Sequence, residues 1–271
     1  MRNPEELVKK LTDLGVSVNV YDFRSAKGDI PKLGSSSKYG PISLYRGFLE
    51  IGTNLIQDHL YSKQILDWNN SALDTFGSER DVVFLVHGLS QHGGHFRNLR
   101  NTLIQGGFCP VVVSYDYRSP FLEYSQKVSE DINCVLGEKE RGFAIGHSTG
   151  ADILKYNLIT GRNLKICGSL LAAGTFNGQI PDLVSRMLFC GADDYCNPQS
   201  PKSDGILDKL SLPVSDSFVV SFENDFFVHL NASFDRDGIN FLVRNMGHIS
   251  GSGINDLMNQ GYLEMVNFLN K

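Results

Sequence analysis

A serine flanked by two glycines is the first feature of the sequence that suggests chemistry. Residues 146–150 read Gly-His-Ser-Thr-Gly and fit the pattern G-x-S-x-G. The string alone is weak, but it follows the apolar run 143–145 and precedes a stretch with helical spacing at 151–154. A strand, a sharp turn and a helix in this order would hold the Ser148 hydroxyl above a sheet, as a nucleophile requires. The alternative is an ordinary glycine-rich turn, which the context disfavours.

A serine hydroxyl is a poor nucleophile near neutral pH, so it needs partner groups. An imidazole has to take its proton, and a carboxylate has to hold that imidazole in the correct tautomer. The carbonyl oxygen under attack gains negative charge, which fixed N–H donors stabilise. The sequence contains seven histidines, so residue type alone does not select the base.

A second string, His-Gly-Leu at residues 87–89, ends the apolar run 82–86 and opens a loop. With this string and the one around Ser148, the chain resembles the α/β-hydrolase superfamily, particularly its lipase and esterase members. The resemblance covers about residues 81–271.

The resemblance implies an oxyanion hole formed by the backbone amides of Leu89 and Thr149. It also implies supporting positions in the two turns, namely His87, Gly88, Gly146 and Gly150. Two further histidines of the same loop, His92 and His95, are expected to be solvated.

The chain order of the family is nucleophile, acid and base, each on a loop at the carboxyl end of a strand. This order implies His248 as the base, because it follows the run 239–243 and precedes the last amphipathic stretch. His229 is the weaker candidate, since no strand separates it from the acid. His147 is the variable residue of the serine turn and is expected to point sideways.

The resemblance implies Asp225 as the acid, because it lies just after the run 218–222. Glu223 is a rival that lies two residues earlier and is chemically competent. Asp182 is a second rival, since some family members place the acid after the preceding strand. The implied catalytic triad is therefore Ser148, His248 and Asp225, with these two alternatives open for the acid.

The elements that would position these residues alternate along the chain. Apolar runs typical of buried strands occur at residues 82–86, 110–115, 142–145, 164–172, 217–222 and 238–243. Stretches with helical spacing occur at residues 95–105, 123–136, 151–159 and 254–269. This alternation predicts an α/β fold, a mostly parallel sheet with helices on both faces, in a single domain over residues 1–271.

Two parts of the chain fall outside this alternation. Residues 1–80 carry no recognised motif. They supply either the first strands with a peripheral helix or a family-specific extension. Their patterns predict helices at 3–14 and 55–68 and strands at 16–20 and 42–51. Residues 177–212 are long, polar and rich in Gly and Pro. They are expected to form a lid-like insertion before the acid-bearing strand.

The resemblance implies a serine hydrolase that cleaves a carboxylic ester through an acyl-enzyme on Ser148. The expected substrate is a small-molecule or lipid ester, with a role in lipid metabolism. A thioesterase or acyltransferase with the same triad stays open, as does a binding protein that keeps the fold without catalysis.

The composition restricts the remaining function classes. The net charge of −5 gives no reason to expect a nucleic acid partner. No metal-binding constellation and no nucleotide-binding loop occurs, so neither a metal nor another cofactor is expected. The sequence has no apolar run that predicts a transmembrane segment and no secretory signal, which predicts a cytoplasmic protein. The oligomeric state stays open.

Overall fold

A computed structural model describes most of the chain. The described residues are 3–24, 58–77, 79–89, 91–137, 141–176, 206–210, 216–223, 233–235, 238–248 and 255–271, with the single residues Gly52, Ile56, Lys139, Leu212, Val214, Asp225 and Val228.

The centre of the described structure is a mixed sheet. Its strands are β1 (Val18–Asp22), β2 (Val82–Val86), β3 (Cys109–Val113), β4 (Gly142–His147), β5 (Ile166–Ala172), β6 (Ser217–Phe222) and β7 (Ile239–Val243). Across the sheet, these seven strands of the described part of the chain lie in the order β1-β7-β6-β5-β4-β2-β3. Only β1 and β7 pair antiparallel, and every other neighbouring pair is parallel. The predicted mostly parallel sheet is confirmed.

Apolar runs form these strands because both faces of the sheet are covered. Successive residues of a strand point to opposite faces, so Val83 and Leu85 enter one core while Val82, Phe84 and Val86 enter the other. All five side chains are fully buried.

Helices form the layers on both faces. They are α1 (Pro4–Asp13), α2 (Ile65–Phe76), α3 (Arg97–Gln105), α4 (Phe121–Leu136), α5 (Thr149–Ile159), α6 (Ile206–Leu210) and α7 (Asp256–Asn270). Through Leu11, Leu103 and Met265, α1, α3 and α7 pack on the face of Val83. Val128 and Leu154 place α4 and α5 on the opposite face. None of the described helices is both long and apolar enough to cross a membrane.

Residues 4–22 supply a strand and a peripheral helix, which is one of the two readings that the sequence left open. In β1, Val20 lies opposite Phe241 of β7. Lys10 of α1 pairs with Glu264 of α7, with an Nζ–Oε2 distance of 3.3 Å. The predicted strand at 42–51 lies outside the described residues.

The predicted helix at 55–68 differs from the structure. Residues 58–62 are helical, residues 63–64 form a turn, and α2 then continues to Phe76. After this turn, α2 packs against β3, with Ile65 in one core and Ala72 in the other.

The predicted lid-like insertion at 177–212 lies largely outside the described residues. Its described part includes α6, whose residues Ile206 and Leu210 are buried in the same core as Leu154 of α5. These two side chains attach the end of the segment to the core just before β6.

One side chain of α2 hydrogen bonds with the outer edge of β3, the last strand of the described sheet. The Asn69 amide donates to the Val112 carbonyl at 2.8 Å, and its oxygen accepts from the Val112 N–H at 2.9 Å. The carboxamide thereby replaces a neighbouring strand at this position, where unpaired backbone groups would cost free energy.

We expect Asn69→Ala to lower the free energy of unfolding by about 1 to 3 kcal/mol, because both backbone groups of Val112 lose their partner. Asn70→Ala is the control, since Asn70 is an exposed neighbour on the same helix. Urea unfolding measures both variants. Equal stability of the two would contradict a bracing role for Asn69.

Candidate active site

Ser148 occupies a strained turn between β4 and α5. Its φ of 55° and ψ of −127° lie in a region that residues other than glycine rarely adopt, at a cost on the order of 1 to 3 kcal/mol. The Ser148 N–H donates to the Ala172 carbonyl of β5 at 2.8 Å, and the Ser148 carbonyl accepts from the Ala151 N–H at 2.8 Å. The sharp strand-to-helix turn expected from the sequence is therefore present.

Both glycines of this turn are required by close backbone contacts. A Cβ on Gly146 would lie 2.5 Å from the Gly150 carbonyl oxygen. A Cβ on Gly150 would lie 2.2 Å from the Val86 carbonyl oxygen and 2.5 Å from that of His87. The start of α5 therefore rests directly on the end of β2.

The loop after β2 passes beside the serine. A Cβ on Gly88 would lie 2.9 Å from Ser148 Cβ, so only glycine fits at this position. The Gly88 N–H donates to Oε1 of the buried Gln91 at 3.0 Å. This bond occupies the Gly88 amide and leaves Leu89, the next residue, as the position that the resemblance assigns to the oxyanion hole.

Thr149, the other predicted oxyanion residue, is buried at the first position of α5. Two buried charges fix this helix. Lys155 pairs with Asp235 at an Nζ–Oδ2 distance of 2.7 Å, and Asp152 accepts hydrogen bonds from the N–H and the hydroxyl of Thr175. These contacts tie α5 to the segments after β5 and before β7, so the amide of Thr149 has a defined position.

His87, predicted to be a supporting residue, lies at the end of β2 and contacts the backbone on either side of it. Its ring is buried and stacks on Tyr115 at 4.3 Å between centroids. Nδ1 donates to the Gly88 carbonyl at 2.8 Å, which leaves Nε2 to accept from the Tyr115 N–H at 3.3 Å. Burial lowers the pKa of His87 to about 3, so the ring is neutral and fixed in one tautomer.

Asp225 and His248 lie together, although 23 positions separate them. His248 Nδ1 and Asp225 Oδ2 are 2.7 Å apart, and both residues are buried. The second oxygen of Asp225 accepts from the Val228 N–H at 2.8 Å. An imidazole that donates its Nδ1 proton to a carboxylate carries its lone pair on Nε2, which is the arrangement that a general base requires.

Glu223, the nearer rival for the acid, has other partners. It forms an ion pair with Arg244 and accepts from the Asn245 N–H at 3.1 Å. Asn245 has a φ of 59°, so this bond holds a left-handed turn that leads toward His248. Asp182, the other rival, lies outside the described residues.

His147 contacts the proposed base. Its Nε2 donates to the His248 carbonyl at 2.9 Å, and the two ring centroids are 4.6 Å apart. Burial, together with the nearby imidazole of His248, lowers the pKa of His147 well below its ordinary value, so the ring is neutral. No role for His147 is predicted from the sequence, because nothing near residue 147 indicates that residue 248 approaches it.

The prediction that His95 is solvated is wrong, whereas His92 is exposed as predicted. His95 is fully buried, and its Nδ1 lies 3.4 Å from Oδ1 of Asp58. Asp58 covers the loop from the helical segment 58–62, and this long-range contact has no local signal in the sequence. Among the described residues, no three His, Cys, Asp or Glu side chains are grouped as a metal site would need.

The sequence matches no protein-family model and no curated protein. Solved structures are similar in fold. A structure of the metagenome-derived lipolytic enzymes LipS and LipT is 13% identical with a TM-score of 0.53, over 70% of this chain and 94% of that chain. The mature lipase BlEst2 of Bacillus licheniformis is 12% identical with a TM-score of 0.56, over 70% of this chain and 92% of that chain.

The low pKa of His87 predicts a stability that depends on pH. The unfolded chain binds a proton at this residue below about pH 6.5, whereas the folded chain resists it down to about pH 3. Stability is therefore lost as the pH falls below about 6.5. Between about pH 7.5 and about pH 5, His87 contributes a loss of about 2 kcal/mol in the free energy of unfolding.

We expect the total loss in the free energy of unfolding between these pH values to be smaller by about 2 kcal/mol in His87→Gln, since glutamine does not titrate. His92→Gln, at an exposed histidine of the same loop, should retain the loss of the unmodified protein. Urea unfolding at the two pH values measures the difference. An unchanged loss in His87→Gln would contradict the buried neutral state.

Proposed function

Because the chain has the α/β-hydrolase fold, we propose that it is a serine hydrolase that cleaves carboxylic esters through an acyl-enzyme on Ser148. The observation that carries the proposal is the 2.7 Å contact between His248 Nδ1 and Asp225 Oδ2, in a chain whose Ser148 sits on a strained strand-to-helix turn. Strain at such a position is typical of functional sites.

In the proposed first step, Ser148 Oγ attacks the ester carbonyl carbon while His248 Nε2 takes the hydroxyl proton. The carbonyl oxygen becomes an oxyanion, to which the amides of Leu89 and Thr149 donate. The intermediate then expels the alkoxide, which receives the proton from His248. The acyl group stays on Ser148 as an ester.

In the proposed second step, water replaces the alcohol. His248 takes a proton from a water molecule as the water oxygen attacks the acyl carbon. The carboxylic acid leaves when the His248 imidazolium returns a proton to Ser148 Oγ. The Asp225 carboxylate stabilises the imidazolium that forms in each step. His147 and His87 stay neutral. His147 binds the backbone of the base, His248, and His87 binds the backbone of the loop after β2 that carries Leu89, here called the oxyanion loop.

The proposed substrates are small-molecule or lipid esters. The lipolytic solved structures support this class by analogy of fold. Thioesters fit the same chemistry, because the acyl-enzyme is identical and only the leaving group differs. A panel of p-nitrophenyl esters from acetate to palmitate, with matched thioesters, ranks the two.

We expect Ser148→Ala to lower kcat for p-nitrophenyl ester hydrolysis by about 1,000-fold or more and to abolish labelling by a fluorophosphonate probe. The control is Ser71→Ala, since Ser71 is exposed on α2. Undiminished hydrolysis in Ser148→Ala would overturn the mechanism. A folded protein that stays unlabelled would instead indicate a binding protein that keeps the fold without catalysis.

We expect Asp225→Asn to lower kcat by about 1,000-fold or more, because the amide no longer fixes the base in the required tautomer. Glu223→Gln should lower kcat by less than about tenfold, since that carboxylate pairs with Arg244. Asp131→Asn, on the outer side of α4, is the control for removal of a charge. Steady-state kinetics on the three variants decides, and a larger loss in Glu223→Gln would assign the acid to Glu223.

A further inference from the structure

We infer that Asp58 is a positioning residue for the oxyanion hole, so that the helical segment 58–62 belongs to the catalytic apparatus. The inference rests on the proposed function and extends it to a part of the chain that carries no recognised motif. Asp58 lies 90 positions before Ser148, and no local pattern near it suggests a functional role.

The Asp58 carboxylate binds the backbone of the oxyanion loop at two points. Oδ2 accepts from the His92 N–H at 2.8 Å, and Oδ1 accepts from the Gly94 N–H at 2.9 Å. His95 Nδ1 lies 3.4 Å from Oδ1. Asp58 is only 3% exposed, so these bonds are shielded from water and are stronger than surface bonds.

The charge of Asp58 is stabilised locally. Burial opposes its ionisation, but hydrogen bonds from the His95 ring and the His92 amide lower the pKa of the carboxyl below its ordinary value. Asp58 is therefore an anion at neutral pH. An anion accepts stronger hydrogen bonds than a neutral group, which favours a firm hold on the two amides.

The loop lies directly against the backbone of the segment. A Cβ on Gly94 would lie 2.6 Å from the Asp58 carbonyl oxygen and 2.9 Å from the Ser62 nitrogen. The Ser114 hydroxyl donates to the His92 carbonyl at 2.9 Å on the other side. The loop is therefore held on both sides between the segment and the end of β3.

The path from Asp58 to the oxyanion hole is short. Leu89 lies three positions before His92, and Gln91 between them accepts from the Gly88 N–H at 3.0 Å. Gly88 in turn lies against Ser148. An N–H group of the oxyanion hole has to lie within hydrogen-bonding distance of the oxyanion. Small displacements of the loop therefore reduce the stabilisation of the transition state.

A carboxylate suits this position better than any neutral side chain. Its two oxygens accept from two N–H groups that approach from different directions. Asparagine would present an NH₂ donor to one of these N–H groups and lose that bond. Asp58→Asn is therefore an isosteric change that frees one point of the loop.

The experiment compares transition-state and ground-state binding in Asp58→Asn. The ester is p-nitrophenyl butyrate, the tetrahedral probe is a trifluoromethyl ketone of the same chain length, and the ground-state probe is the matching ether. We expect kcat/KM and ketone affinity to fall together by about 10- to 100-fold. Ether affinity should change by less than about twofold. Asp67→Asn, exposed on α2, is the control and should match the unmodified protein.

Two results would overturn the inference. A lower melting temperature with unchanged kinetics per folded molecule would assign Asp58 to stability alone. Equal losses for ketone and ether would assign it to the shape of the pocket. If Asp58→Asn fails to fold, Asp58→Glu keeps both acceptors and the charge while its extra methylene displaces the loop, and the same selective loss is expected. Failure of the proposed function is distinguishable, because the unmodified protein would then not react with a fluorophosphonate.

Discussion

The site depends on the close approach of three backbone segments: the end of β2, the end of β4 and the start of α5. At Gly150 a single added carbon would lie 2.2 Å from the carbonyl oxygen of Val86. This approach sets the loop after β2 beside the serine, and the backbone of Ser148 has a positive φ. Such strain persists only where the surroundings fix it, and here the buried strands and the anchored helix α5 do so.

Much of the sheet could be predicted because its signals are local. The run 217–222 was predicted to be a strand and forms β6 with the same bounds. The pairing of β1 with β7 had no such signal, since Val20 and Phe241 are far apart in the chain. The same holds for the site: the order of motifs implied Asp225 and His248, but the contact of the buried His95 with Asp58 joins residues 37 positions apart and has no local signal.

Two carboxylates of the site lie beside imidazoles, but at different distances. Asp225 lies 2.7 Å from His248, and its other oxygen accepts from the Val228 N–H. Asp58 accepts from two backbone amides, and His95 lies farther away at 3.4 Å. The first carboxylate is therefore close enough to orient its imidazole, whereas the shortest contacts of the second are with backbone amides. A search for acid and base pairs by residue type alone would not distinguish them.

The antiparallel pairing of β1 with β7 has a consequence for biosynthesis. A ribosome makes residues 18–22 long before residues 239–243, so β1 lacks β7, its partner among the described strands, while the strands between them are being translated. The α1 side chains Leu7 and Leu11 share a core with Met258 and Tyr262 of α7, which are translated after β7. The native contacts of residues 4–22 with β7 and α7 therefore form only after most of the described sheet has been translated.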